Sequence, residues 1–340
     1  MRGTPAVLVD GKPVGAKDGS MFDAAGFART LKGRAWLRRV GAVVEIPAEL
    51  VEVQLRYGGA AGREFVEGLP GRVAEFLERW GLRVAGPAMH GMTALVLPVV
   101  RADGTEAALK LLVPDEESAG EPVALRAWDG RGCVRLLEWD GPTGTLLLER
   151  LDAGRHLSGL VERDARAAVT VVAGLLARLT SVRAPEGLRG LGEVAAGLLA
   201  GVPEAAGRLA DAGERRLLRD CAAALAEVAA EPGDRLLHWD LHFGNVLAGE
   251  REPWLAIDPK PLAGDPGFEL LPALVNGFRA GEVGWRFDLL TGVVGLDRER
   301  ARAWTLGRVV QNCLWEVEDG EVALPEREVA VAEVLLGRAG

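Results

Sequence analysis

The sequence predicts an α+β protein of two lobes: a small, mainly antiparallel sheet followed by a larger, mainly helical part. Three observations carry this. At 340 residues the chain exceeds what one hydrophobic core usually supports. Between residues 93 and 149 short β-rich runs alternate with turn residues, and after residue 150 the apolar positions take up helical spacing. The change of pattern near residues 149–153 separates a segment 43–150 from a segment 151–340, with an extension of uncertain order, 1–42, in front.

Taken in order, Val7 to Val14 reads as strand–turn–strand around Asp10-Gly11. Ile46-Pro47-Ala48-Glu49-Leu50 reads as a helix start, with proline in the first turn and an acid behind it. Val73, Phe76, Leu77 and Trp80 fall on one helix face within Arg72–Trp80, and Gly81 ends it. Thr93–Val100 and Glu106–Val113 are β-rich runs joined by Asp103-Gly104, a hairpin signal. Pro122–Trp128 reads as a helix with Glu121 at its start. Cys133–Glu138 and Thr145–Glu149 read as two more strands. Leu160–Val182, Val194–Leu199 and Glu214–Ala230 are helical in pattern. Two β-like runs, Arg235–Leu237 and Trp254–Ile257, follow, and the rest, to Leu336, is mostly helical.

Composition narrows the function classes. The net charge is −9, so there is no net basic field to neutralise a nucleic acid's phosphates, and nucleic acid is not expected as a partner. Cys133, Cys221 and Cys313 show no Cys-x-x-Cys spacing and imply neither a disulfide frame nor a zinc site. The longest apolar run in mid-chain, Ala167 to Ala177, is too short to span a bilayer. No basic region followed by an apolar run appears at the N-terminus. A cytoplasmic protein without membrane attachment, a monomer or weak dimer, is the expectation. After Lys32 only Lys110 and Lys260 remain, while arginine is abundant. A retained lysine is notable because an ammonium and a guanidinium are not interchangeable.

The chemistry concentrates in His238-Trp239-Asp240-Leu241-His242-Phe243-Gly244-Asn245 and in Ile257-Asp258-Pro259. An aspartate, an asparagine five residues on, and a second aspartate thirteen beyond that form a spacing used in phosphoryl transfer. In that reading Asp240 meets an acceptor hydroxyl and takes its proton late. Asn245 and Asp258 supply oxygen ligands to Mg²⁺, a hard cation that uses few protein ligands beside phosphates and water. The plain alternative is a polar loop with capping residues. His238 and His242 also raise a metal-hydrolase reading, but the other histidines, His90 and His156, stand alone, and such sites want more imidazoles. His238 is read as a residue that shapes the loop, and His242 as facing solvent or substrate.

Lys110 lies in an apolar strand, Ala107-Ala108-Leu109-Lys110-Leu111. In a kinase such a lysine pairs with the α- and β-phosphates and is held by an acid on the next helix. Glu121 is the candidate acid, with Glu116 and Glu117 as competitors. An edge-strand lysine facing water, and a helix-start acid favoured by the dipole, are the plain alternatives. Residues 86–91 do not match a glycine-rich phosphate loop.

Together these residues resemble the aminoglycoside phosphotransferase family of the protein-kinase-like fold. His238-Trp239-Asp240-Leu241-His242 with Asp258-Pro259-Lys260-Pro261 looks most like its streptomycin 6-kinase and hydroxyurea phosphotransferase branch. Leu125-Arg126-Ala127-Trp128-Asp129-Gly130 and Glu318-Asp319-Gly320 are similar to segments of that branch. The resemblance covers residues 43 to 325. It implies ATP as donor, with GTP open, and Mg²⁺. It implies Asp240 as catalytic base, Asn245 and Asp258 as metal ligands, and Lys110 with Glu121 on the phosphates. Glu149 and Leu151 would meet adenine through their backbones. Many members have glycine at the position of Trp239, and protein kinases have arginine. Pro259 stands where protein kinases continue with Phe-Gly, so constitutive activity is expected.

The acceptor implied is a cationic or polyhydroxylated small molecule, an aminoglycoside such as streptomycin. Hydroxyurea, an amino sugar or another metabolite is the alternative, and a non-catalytic nucleotide-binding module is an alternative of another class. The acids that would receive a polycation are Glu316, Glu318 and Asp319, with Asp265 and Glu269 behind the metal loop. A solvated helix face is the plain reading of each.

Overall fold

A computed structural model describes residues 8–9, 12–13, 44–91, 93–113 and 118–338. Of the expected extension, 1–42, only two strands, β1 (Leu8–Val9) and β2 (Lys12–Pro13), lie within the described residues, at the two ends of the predicted turn. Glu116 and Glu117 lie outside them. Beyond residue 13 the chain forms two compact units, one of residues 14–122 and 135–150, the other of residues 123–134 and 151–340.

In the first unit two helices precede the sheet: α1 (Ala48–Tyr57) and α2 (Gly59–Arg79). Helix α2 starts well before the predicted Arg72. Pro70 lies inside the helix, and Phe65, Val66, Leu69, Val73, Phe76 and Leu77 form one continuous buried face on both sides of it. At about 1.5–3 kcal/mol each, the six buried side chains together outweigh the roughly 3 kcal/mol penalty of one interior proline.

The sheet of this unit has six strands. β3 (Arg83–Val84) and β4 (Met89–His90) both pair with β5 (Ala94–Val100), and the order continues to β6 (Glu106–Leu112), β8 (Thr145–Glu149) and β7 (Leu136–Asp140). The β5–β6 hairpin closes as predicted. Gly104 is left-handed at φ 88°, and the Thr105 amide donates to Asp103 Oδ1 at 2.9 Å. Register places Lys110 opposite Val96 on one side and Leu146 on the other, in the middle of the sheet. The predicted Cys133–Glu138 strand is displaced. Strand β7 begins at Leu136, and Cys133 instead bridges Ala256 in the second unit's own framework.

Helix α3 (Glu121–Trp128) follows, its first two residues in the first unit and the remainder in the second. The second unit is mostly helical: α4 (Ser158–Val161), α5 (Ala165–Leu179), α6 (Leu191–Arg208), α7 (Ala212–Val228), α8 (Leu271–Val275), α9 (Val283–Val294), α10 (Arg298–Glu318) and α11 (Glu326–Leu335). Aspartates cap three of them, Asp164, Asp211 and Asp297 each accepting an amide of the first turn. Asp164 divides the predicted Leu160–Val182 helix into α4 and α5. Two small antiparallel ribbons carry the loops of interest. One pairs β10 (Arg235–Leu237) with β13 (Leu262–Gly264); the other joins β12 (Leu255–Ala256), β11 (Val246–Ala248) and β9 (Asp152–His156). No helix among the described residues is long and apolar enough to cross a membrane.

Candidate active site

The loop from His238 to Asn245 leaves β10 and enters β11 through a 3-10 turn, Phe243–Asn245. Its shape rests on hydrogen bonds within and around it. The His242 amide donates to Asp240 O and the Asn245 amide to His242 O, each at 3.0 Å. Asn245 Nδ2 donates to Asp240 O at 2.9 Å and lies 3.4 Å from Asp240 Oδ2. The Ile257 amide donates to Asn245 O at 2.9 Å, which brings Asp258 beside Asn245. Asp240 and Asn245 are half-buried and Asp258 is exposed. Among the described residues only Trp239, Asp258 and Asp129 are non-glycine residues with positive φ, at 64°, 59° and 50°. Such conformations persist where the surroundings over-determine them and gather at functional sites.

His238 is fully buried, and its Nε2 lies 3.0 Å from Ile257 O. A carbonyl only accepts, so Nε2 carries the proton and Nδ1 is bare. Burial pushes the imidazole down to about 4, against the pull of Asp240 and Asp258, so the ring is neutral. Its ring stacks on Trp128 with centroids 6.1 Å apart and planes 20° apart, and Trp128 Nε1 donates to Leu179 O at 3.0 Å. His242 is half-buried and accepts the Gly244 amide on Nδ1 at 3.0 Å, capping the 3-10 turn. His156 Nδ1 lies 3.1 Å from Gly244 O. Two imidazoles thus brace the turn that ends in Asn245. Among the described residues no group of three or more His, Cys, Asp or Glu is arranged to hold a metal ion.

In the first unit Lys110 Nζ donates to both oxygens of Glu121, at 2.8 and 2.7 Å, and both side chains are buried. A bidentate pair of this kind fixes an ammonium that would otherwise sample several rotamers. Glu149 ends β8; its carboxylate accepts the Arg135 amide at 3.1 Å and its own amide donates to Arg135 O at 2.9 Å. Leu151 is buried and stands at the start of the second unit's last segment.

Asp265 and Glu269, expected among the acceptor-binding acids, turn inward instead. Asp265 accepts the Gly267 amide at 2.8 Å and Arg300 Nε at 2.6 Å. Glu269 is 1% exposed, and its Oε1 accepts the Trp239 amide at 2.7 Å. Burial raises its carboxyl to about 7, while the Trp239 and His238 amides and Arg308 favour the charged form. Its role is to hold the loop that carries Asp240. Glu318 and Asp319 are exposed at the end of α10. Glu316 is half-buried, its carboxyl raised by burial and by the nearby Glu328, Glu321 and Asp319. Trp128, His156, Arg308 and Gln311 are the neighbours of the loop that sequence reasoning gave no role. Trp128 carried a signal in the resemblance; the others are distant in sequence and carried none.

The loop chemistry and the α+β architecture define a phosphotransferase of the protein-kinase-like fold. A solved Thermobifida fusca protein, assigned as a fructosamine-3-kinase, shares that fold, with a TM-score of 0.52 at 22% identity over 78% of this chain and 98% of that one. Residues 79–320 match the family model for aminoglycoside/hydroxyurea antibiotic resistance kinases. The chain is 53% identical to the streptomycin 6-kinase of Streptomyces glaucescens over 303 residues, 87% of this chain and 98% of that one. Identity to the Streptomyces griseus streptomycin 6-kinase is 52% over 300 residues, 86% and 97% of the two chains. The chain therefore belongs to the aminoglycoside/hydroxyurea antibiotic resistance kinase family; kinases transfer a phosphoryl group from a nucleotide with the help of a divalent metal. The residues present fit such a metal. Asn245 spends its Nδ2 on Asp240 O and keeps its amide oxygen for a ligand, and Asp258 is an exposed carboxylate beside it. An amide oxygen and a carboxylate are the hard donors that Mg²⁺ prefers.

Proposed function

We propose that this kinase phosphorylates a hydroxyl of a streptomycin-like aminoglycoside, with ATP as donor and Mg²⁺ as metal, and so inactivates the antibiotic. The observation that carries the acceptor is the 53% identity to a streptomycin 6-kinase over 98% of that protein's length. The loop geometry supports the chemistry. Asp240 orients the acceptor hydroxyl towards the γ-phosphorus and takes its proton as the new P–O bond forms and the bond to the leaving diphosphate breaks. Asn245 and Asp258 would hold the metal, which neutralises phosphate charge when bound. The Lys110–Glu121 pair presents a fixed ammonium to the donor's phosphates. Backbone groups at Glu149 and Leu151 would meet the adenine edge.

Neutral His238 keeps charge out of the loop interior, so Asp240 faces no buried imidazolium that would draw its carboxylate inward. The exposed acids Glu318 and Asp319, with Glu316, remain the candidates for contact with a polycationic acceptor. No activation segment needing phosphorylation is called for, since Pro259 follows the second aspartate.

The test is ATP turnover against streptomycin, other aminoglycosides, hydroxyurea and simple alcohols, with the product's phosphorylated hydroxyl located by mass spectrometry. Turnover with streptomycin is expected, with loss of at least about 10²-fold in kcat for Asp240→Asn. Phosphorylation of hydroxyurea alone would reassign the acceptor. Undiminished turnover by Asp240→Asn would remove Asp240 from the mechanism.

A further inference from the structure

Trp239 is a bulky residue in the left-handed region, at φ 64°. That conformation costs an L-residue roughly 1–2 kcal/mol, so contacts must hold it. The main chain is held by Glu269, as described. The indole is held by other residues. Its Nε1 donates to Gln311 Oε1 at 3.3 Å. The Arg308 guanidinium lies 5.2 Å from the ring centroid and the Arg189 guanidinium 4.6 Å. Arg308 and Gln311 stand three residues apart on α10 and so share one helix face. Both are buried, at 6% and 4% exposure.

Arg308 also lies 5.3 Å from the Phe268 ring and favours the charged form of Glu269. A buried guanidinium and a buried amide are an expensive way to fill a helix interface that apolar side chains would fill more cheaply. Their position suits another purpose. Trp239 is the chain neighbour of Asp240, and rotation of its peptide would re-aim the carboxylate.

We propose that Arg308 and Gln311 are positioning residues for phosphoryl transfer: they clamp the indole of Trp239 from α10 and thereby fix the direction in which Asp240 is presented. The proposal rests on the reading of Asp240 as the group that meets the acceptor hydroxyl. Neither residue touches substrate; both act through Trp239. Misplacement of a reacting group by about 1 Å costs on the order of 100-fold in rate. The clamp is therefore felt in kcat, while the KM for nucleotide and acceptor stays near the wild-type value.

Three variants test this: Gln311→Met, Arg308→Met and the double variant Arg308→Met/Glu269→Gln, which leaves no unpaired buried carboxylate. Steady-state kinetics are read beside amide hydrogen exchange of a peptide spanning residues 238–245. The expected result is a kcat reduced about 10- to 100-fold for the Arg308 variants and less for Gln311→Met, each KM within about twofold, and faster exchange across the loop. Should Arg308→Met not fold, Gln311→Met carries the test, because it removes one neutral hydrogen bond at nearly constant volume. Wild-type kcat in the folded variants, or a kcat loss with unchanged loop exchange, overturns the clamp. Failure of the Asp240 reading is told apart by Asp240→Asn: if that variant keeps its turnover the base assignment falls, while loop exchange in the Gln311 and Arg308 variants still reports on the clamp.

Discussion

Replacing Glu269 by glutamine should change how stability depends on pH, in a direction and size that follow from two buried groups. Burial moves the Glu269 carboxyl from its ordinary 4.5 to about 7, and the His238 imidazole from 6.5 to about 4. The folded protein holds the Glu269 proton more tightly than the unfolded chain does. The stability this lends is complete below pH 4.5 and lost as pH rises through 7. His238 is the reverse case: the folded protein holds its proton less tightly, so stability is complete above pH 6.5 and lost as pH falls through 4. At about 1.4 kcal/mol per pH unit, each contributes roughly 3 kcal/mol across nearly the same window.

The two opposed contributions nearly cancel in the wild type. Glu269 faces Arg308, Asp240 and the His238 and Trp239 amides, while His238 faces Asp240, Asp258, His242 and the Ile257 carbonyl. Glu269→Gln keeps an acceptor for the Trp239 amide and removes the titration. The variant should gain stability relative to wild type by roughly 3 kcal/mol as pH rises from about 4.5 to 7.5. Urea unfolding of both proteins at a series of pH values measures this difference. Parallel stability curves would refute the reasoning, and a variant that gains towards acid would reverse it. His238→Asn should show the mirror image, gaining on the wild type as pH falls.

Two further outcomes follow from the same geometry. Lys110→Met leaves the Glu121 carboxylate buried without its ammonium and should destabilise by about 3–5 kcal/mol; adding Glu121→Gln should restore most of the stability in denaturant unfolding but not the nucleotide KM. Trp128→Ala removes a fully buried indole, its stack on His238 and its bond to Leu179 O; it should cost about 3–5 kcal/mol by thermal or urea unfolding, with a kcat loss in whatever protein remains folded.

What the sequence disclosed was what local chemistry constrains. Asp103-Gly104 announced a hairpin because few residues tolerate its left-handed turn. Asp240, Asn245 and Asp258 stood out because hydroxyl activation and a hard cation admit few residue types, and those at nearly fixed spacing. Lys110 and Glu121 were legible as types, and their 2.7 Å pairing agrees with the expected partnership. Where long-range packing decides, the sequence was silent or misleading. The first half of α2, before Arg72, was not read as helix, because its buried face is defined by partners elsewhere in the chain. Strand β9, polar and largely exposed, is a strand only because β11 offers it an edge.

Glu269 makes the same point inside the site. A carboxylate has one spelling whether it faces a solvated polycation or a main-chain amide thirty residues away. What separates the two is desolvation, which appears only when Phe268, Trp239 and Arg308 are packed around it. Trp239 is the informative residue after all, though for a reason beyond family likeness. Glycine would reach its left-handed φ without cost, whereas tryptophan reaches it only when held. The chain therefore exchanges an unconstrained loop for one whose direction depends on α10, and in the proposed mechanism Asp240 inherits that dependence.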